Sequence, residues 1–194
     1  MRLDILSPPD AGWQQAAMLI QTHFRDTYHA SMTLPAIPLA VARSASGAVL
    51  GAAGLRDAAS GFFSQAYLDR PVARILTEAS GRTVRDDAIQ EVVSLACPHP
   101  IAALPLIEAI TLQARLSGKS WGLFTATAAL VALLRRTGAP VLALAPARPE
   151  RLADAAAWGR YYDTDPWVCA LHEQAEPLRF MPRPSRIPGG VPVR

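Results

Sequence analysis

The chain has 194 residues, 51% of them hydrophobic and 18% charged, enough apolar material for one domain with its own core and too much for intrinsic disorder. Nineteen Lys and Arg against 16 Asp and Glu leave a net charge of +3 with no basic patch interleaved with aromatics, which excludes nucleic acid as an expected partner. Two cysteines, Cys97 and Cys169, are too few for a disulfide framework or a structural zinc site and suit a reducing, cytoplasmic setting.

In chain order, residues 2–6 alternate polar and apolar before Ser7-Pro8-Pro9, which predicts a short strand closed by a turn. Asp10 is the expected cap of a helix over residues 13–28, whose apolar positions Ala16, Ala17, Ile20 and Phe24 fall at helical spacing. Residues 37–43 and 49–55 read as an antiparallel hairpin around Ser44-Ala-Ser-Gly47. Gly51 and Gly54 in its second arm mark a bulge or a close approach of another backbone or a ligand. An irregular stretch over residues 56–69 precedes a helix over residues 71–80 that starts on a proline and ends at Gly81.

Residues 89–97 are rich in β-branched side chains and predict a central strand, terminated by Pro98-His-Pro100. A helix over residues 101–116, a short strand over 121–124, a helix over 128–137 capped by Thr125 or Thr127, and a strand over 141–145 follow. This alternation implies parallel pairing in the second half, and with the hairpin it gives a mixed α/β sheet of six to seven strands with flanking helices. Residues 1–176 form the domain. The segment 177–194, with five prolines, four arginines and no acidic residue, is an extended tail. The N-terminus lacks the features of a signal peptide, and the longest apolar run, from Trp121 to Leu134, is too short to span a membrane, so no integral membrane protein is expected.

Four motifs, Tyr67-Leu-Asp-Arg-Pro-Val72, Glu91-Val-Val-Ser-Leu-Ala96, Phe124-Thr-Ala-Thr127 and Trp158-Gly-Arg-Tyr-Tyr-Asp163, resemble in order and spacing those of the thermostable hemolysin family, across about residues 28–169. That family is similar to acyl-homoserine-lactone synthases and other N-acyltransferases of the GNAT-like fold. The resemblance implies a GNAT-like fold and transfer of an acyl group, fatty or related, from a thioester to a small amine acceptor, with acyl-carrier protein or acyl-coenzyme A as co-substrate and no tightly bound cofactor. It places Ser94, Leu95, Ala96, Thr125 and Thr127 on the acyl-donor side, and Arg56, Tyr67, Trp158 and Arg160 at the acceptor.

The chain departs from the wider pattern in three places. The loop Ala96-Cys-Pro-His-Pro-Ile101 has prolines where coenzyme A-binding acyltransferases carry glycines, removing backbone donors for a pyrophosphate. This favours a carrier protein as donor. Leu134 stands where the usual acid tyrosine would be, four residues ahead of Gly138. Val93 and Ser94 replace the family's usual Gly-Asn in the central strand.

Each candidate side chain has two readings. Glu91, on a central strand, is either a general base for an attacking amine or the ion-pair partner of Arg56 or Arg85. Tyr161 and Tyr162, adjacent and on opposite sides if the segment is a strand, can supply a catalytic phenol or core packing. Arg160 can hold an acceptor carboxylate or pair with Asp163 or Asp165. Cys97 beside His99 suggests a thiol nucleophile, but a buried structural cysteine is the commoner case. The scattered histidines have no metal-ligand spacing, and no metal is expected. Two other functions remain open: a membrane-active protein, suggested by the family name and the basic proline-rich tail, and a binding module that keeps the fold without catalysis.

Overall fold

The computed structural model describes residues 1–99, 102–172 and Leu178. The expected tail over 177–194 falls outside the described residues except for Leu178, as do Pro100 and Ile101 of the proline-containing loop.

One seven-stranded mixed sheet organises the chain, in the order β1-β2-β3-β4-β5-β7-β6. Its strands are β1 (Arg2–Leu6), β2 (Leu39–Arg43), β3 (Val49–Arg56), β4 (Ile89–Ala96), β5 (Trp121–Ala126), β6 (Val141–Pro146) and β7 (Trp167–His172). The helices are α1 (Trp13–Tyr28), α2 (Val72–Ser80), α3 (Ala103–Leu116) and α4 (Ala128–Arg136). Period-two alternation along β2 sets the layers: Leu39 and Val41 pack with α1, and Ala40 and Ala42 pack with Leu106 and Ile110 of α3. One face is covered by α1, α2 and a 3-10 turn at Phe63–Tyr67, the other by α3 and α4. Among the described residues no helix is long and apolar enough to cross a membrane.

Helix α1 buries Trp13, Ala16, Ala17, Ile20 and Phe24, the stripe read from its spacing. Burying each large side chain contributes roughly 1.5–3 kcal/mol. The Trp13 indole N–H also donates to the Ile37 carbonyl at 2.8 Å, pinning the helix to the entry of β2. Asp10 does not cap this helix. Gly12, at φ 90°, takes the cap position, while the Asp10 carboxylate accepts the Ser7 N–H at 2.6 Å and closes the preceding turn. The two prolines before it force a tight bend, and Asp10 is spent on that bend.

The second half pairs differently from the expectation of neighbouring parallel strands. Strands β4 and β5 are parallel, but β7, which the sequence reading did not identify, inserts between β5 and β6 and pairs antiparallel to both. Tyr161 and Tyr162 are not on a strand; they open a 3-10 turn, Tyr161–Thr164. In the hairpin arm, a side chain at Gly54 would meet Ile37 and Val93 at 2.7 Å, so the glycine is there because neighbours approach it closely.

Candidate functional site

The site arises where two parallel strands part. β4 and β5 pair from Ile89↔Trp121 to Val92↔Phe124, and no further. Beyond that point β4 continues along β3 to Ala96, and β5 continues along β7 to Ala126. On the β3 side the register moves three residues on β4, from Val93 to Ala96, against two on β3, from Gly54 to Ala52. This bulge carries Ser94 at φ 51°, a left-handed conformation that costs a non-glycine residue about 1 kcal/mol or more. The bend turns β4 away from β5 and opens a cleft of about 420 Å³ between them.

Apolar side chains of Leu95, Ala103, Ala129, Leu130 and Leu133 line the cleft where it opens between α3 and α4. Thr127 caps α4 by accepting the Leu130 N–H at 3.3 Å, whereas Thr125 belongs to β5 and faces the cleft. Among the described residues no lysine or arginine lines the cleft, and its one histidine is His23. Cys97 sits in the wall with its thiol pushed up to about 11 by burial, which makes it a poor nucleophile.

Midway along, a hydroxyl pair spans the two sides: Ser64 Oγ and Thr125 Oγ1 are 2.9 Å apart. Behind Ser64 lies Glu91, fully buried on β4. Its carboxylate accepts two backbone N–H bonds, from Phe63 at 2.6 Å and Ser64 at 2.7 Å, which hold the start of the 3-10 turn against the sheet. Burial raises the Glu91 pKa above the usual carboxylate range, opposed by the Ser64 hydroxyl, the two amides and the Arg56 charge. Of the two cations offered as partners, Arg56 is the one nearby, with Nε 3.9 Å from the carboxylate. Its guanidinium bonds directly to the carbonyls of Gly61 and Ser60, at 2.8 and 2.5 Å, so it ties down the loop ahead of the turn. Arg85 instead pairs with Asp87.

The opposite wall is aromatic. Phe24 and Tyr28 of α1, Phe63 and Tyr67 of the 3-10 turn, and Trp158 and Tyr161 line it, with ring centroids 5.3–6.0 Å apart in successive pairs. The loop carrying Trp158 and Tyr161 is fastened to the end of α1: Arg160 N–H donates to the Tyr28 carbonyl and Ser31 N–H to the Ala157 carbonyl, both at 2.7 Å. Tyr161 OH donates to the Thr125 carbonyl at 3.4 Å, and the hydroxyls of Tyr67 and Tyr162 are 2.7 Å apart. Burial raises the pKa of Tyr28, Tyr67, Tyr161 and Tyr162, which keeps these phenols protonated at neutral pH.

The cleft thus brings together Ser94, Leu95, Thr125, Thr127, Tyr67, Trp158 and Tyr161. Glu91, Ala96, Arg56, Arg160 and Tyr162 lie outside its lining: Glu91 acts on the cleft wall from behind, Ala96 is buried against α1, and Arg160 bonds His29 Nε2 at 2.8 Å. Ser64, Tyr28, Phe63 and His23 were not singled out for the site, because nothing in their spacing distinguishes them from helix and turn residues that pack a core. Among the described residues no group of three or more His, Cys, Asp or Glu side chains could hold a metal ion.

Residues 6–176 match the sequence model of the family described as thermostable hemolysin, and the chain belongs to that family. No curated protein matches it. Among solved structures it is similar to TofI in an apo form, at 15% identity and TM-score 0.59 over 91% of this chain and 94% of that one. It is similar also to BjaI, a coenzyme A-dependent acyl-homoserine lactone synthase with SAM and isopentyl-CoA, at 12% identity and TM-score 0.58, over 89% of this chain and 83% of that one. A third is FeeM, an N-acyl amino acid synthase from uncultured soil microbes, at 13% identity and TM-score 0.55, over 88% of this chain and 92% of that one. These likenesses show a shared GNAT-like fold.

Proposed function

We propose that this member of the thermostable hemolysin family is an N-acyltransferase that moves an acyl group from a thioester to an amine by direct attack. The observation that carries this reading is the cleft itself: a gap between two parallel strands, apolar where it opens between α3 and α4, with a hydroxyl pair at its middle and an aromatic wall beyond. Unpaired backbone groups of β4 and β5 past Val92 and Phe124 offer hydrogen bonds to an extended pantetheine arm, as an added strand would use them. The resemblance to acyltransferase folds fits the same reading.

In the reaction, the neutral amine attacks the thioester carbonyl, a C–N bond forms and the C–S bond breaks. The amine proton leaves through the Ser64 and Thr125 hydroxyls toward Glu91, whose raised pKa suits it to accept one. The thiolate departs into the open mouth and takes a proton from solvent, so the products are an amide and a free thiol. Thr125 is the group that touches the reacting atoms; Ser64, fully buried behind it, relays the proton, and Glu91 acts through Ser64. Tyr161 fixes the Thr125 backbone, and Tyr162 with Tyr67 braces the aromatic wall that receives the amine. The loop Ala96-Cys-Pro-His-Pro-Ile101, with prolines in place of glycines, removes backbone donors for a pyrophosphate, which favours an acyl-carrier protein over free coenzyme A on the donor side. The two cysteines carry free thiols, which suits a cytoplasmic setting.

Purified protein incubated with acyl-carrier-protein and coenzyme A thioesters and a panel of amines is expected to release free thiol and form amide. Failure to release thiol from any of the donors, together with dye leakage from intact liposomes, would replace this reading with a membrane-active one.

A further inference from the structure

The aromatic wall of the cleft carries a polar group that the fold leaves unmet. Trp158 lines the cleft, and its indole nitrogen is buried with no hydrogen-bond partner among the described residues. Trp13 and Trp167 give theirs to the Ile37 carbonyl and the Asp165 carboxylate. An indole nitrogen only donates, and a buried donor left alone is expensive, so it calls for an acceptor oxygen. Water suits the place poorly. The rings of Phe24, Phe63 and Tyr161 surround Trp158 with centroids 5.4–5.9 Å away, and the Tyr161 hydroxyl is already given to Thr125, so a water finds few of the roughly two to four partners it needs.

The same wall is adverse to a carboxylate. Ring faces carry partial negative charge, which attracts a cation and repels an anion. Burial lowers the pKa of the imidazole there, His23, against the pull of Asp26, so it is uncharged at neutral pH. The two arginines expected at the acceptor are held elsewhere, Arg56 by the Gly61 and Ser60 carbonyls and Arg160 by His29. Trp158 is also close to the chemistry: Phe63, its ring neighbour, precedes Ser64, and Tyr161, another, reaches the Thr125 carbonyl.

On the acyltransfer reading above, we propose that the acceptor is an amine whose second polar group is an uncharged oxygen, a carbonyl or a hydroxyl, which accepts the Trp158 indole N–H while the apolar part of the molecule lies against the aromatic wall. An amide, ester or alcohol of an amino compound meets these conditions. A free amino acid brings an unpaired charge to the ring faces, and an amine with no oxygen leaves the indole unmet.

The test is calorimetric binding of three product analogues, which needs no turnover and no titrating amine: N-butyrylphenylalaninamide, N-butyrylphenethylamine and N-butyrylphenylalanine. The amide is expected to bind about 10-fold tighter than the phenethylamine derivative and about 10-fold or more tighter than the carboxylate. Trp158→Phe keeps a ring in the wall and is expected to remove the first difference. Should that variant not fold, the indole N–H signals of the parent answer the same question: one of the four tryptophans is expected to shift downfield with the amide and none with the phenethylamine derivative. Equal binding of these two to the parent, an undiminished difference between them in folded Trp158→Phe, or a carboxylate bound as tightly as the amide overturns the inference. Binding in the expected order with no thiol released from any thioester by phenylalaninamide would remove the acyltransfer reading and leave the pocket. Amide formation as fast with phenylalanine as with phenylalaninamide would keep that reading and overturn the inference.

Discussion

The two edges of β4 behave in opposite ways. Toward β3 it pairs to its end, absorbing the extra residue at Ser94 as a bulge, and glycine at position 54 lets Ile37 and Val93 close in. Toward β5 it stops pairing at Val92, and the backbone beyond is left to a cleft. One strand therefore makes a sealed seam and an open one, and the bulge that keeps the first is what opens the second. A sheet held rigid on one side can keep a gap on the other without collapsing into it.

Breaking the open seam at its chemistry has the largest expected effect. Ser64→Ala removes the buried hydroxyl that meets Thr125 and is expected to lower turnover about 100-fold to 10,000-fold in protein that remains folded, with a stability loss of about 1–3 kcal/mol from the partners left unpaired. A variant that turns over normally would take the hydroxyl pair out of the mechanism.

Glu91→Gln tests the anchor behind that pair. An amide presents one acceptor where the carboxylate presents two, so one of the Phe63 and Ser64 N–H groups loses its partner, at an expected cost of about 3 kcal/mol in denaturant unfolding. The pH profile separates anchor from proton acceptor. The ionised form takes the proton, and burial raises its pKa, so turnover in the parent rises with pH through a value above the ordinary 4.5; the glutamine variant loses that limb. The same raised pKa gives the opposite sign in stability: Glu91's contribution is full below the unfolded value and is lost as pH rises through the folded one.

The glycines of the two seams sharpen the contrast. Gly54→Ala forces a methyl against Ile37 and Val93 at 2.7 Å and is expected to destabilise by about 1–3 kcal/mol. Gly122→Ala enters open space and is expected to shift stability by no more than about 0.5 kcal/mol. Equal penalties would mean that the β5 face is as tightly packed as the β3 seam. At the bulge the sign reverses: Ser94→Gly relieves the φ of 51° and raises stability by up to about 1 kcal/mol with the cleft unchanged.

Much of this was legible before the fold was known. The stripe of α1, the hairpin, the central strand and the helices after it follow from periodicity and punctuation, because each is a local pattern whose apolar face must be buried somewhere. Thr125, Thr127, Ser94, Leu95, Trp158 and Tyr161 could be named for the site because the motifs that carry them resemble those of the thermostable hemolysin family, a likeness that periodicity alone does not supply. Strand β7 could not, because its pattern, Trp-Val-Cys-Ala-Leu, is short and uniformly apolar, and nothing local says that it inserts between two earlier strands.

What the sequence determined by itself is the set of elements and their order, since helix and strand periods are properties of neighbours in the chain. The tertiary structure decided which groups meet. Ser64 faces Thr125 across 61 positions, Tyr67 meets Tyr162 across 95, and Glu91 is the acceptor for a turn 27 residues earlier. Those meetings depend on where β4 bends and which strands flank it. Such pairings are set by burial and backbone hydrogen bonding over the whole sheet, and no window of the sequence contains them.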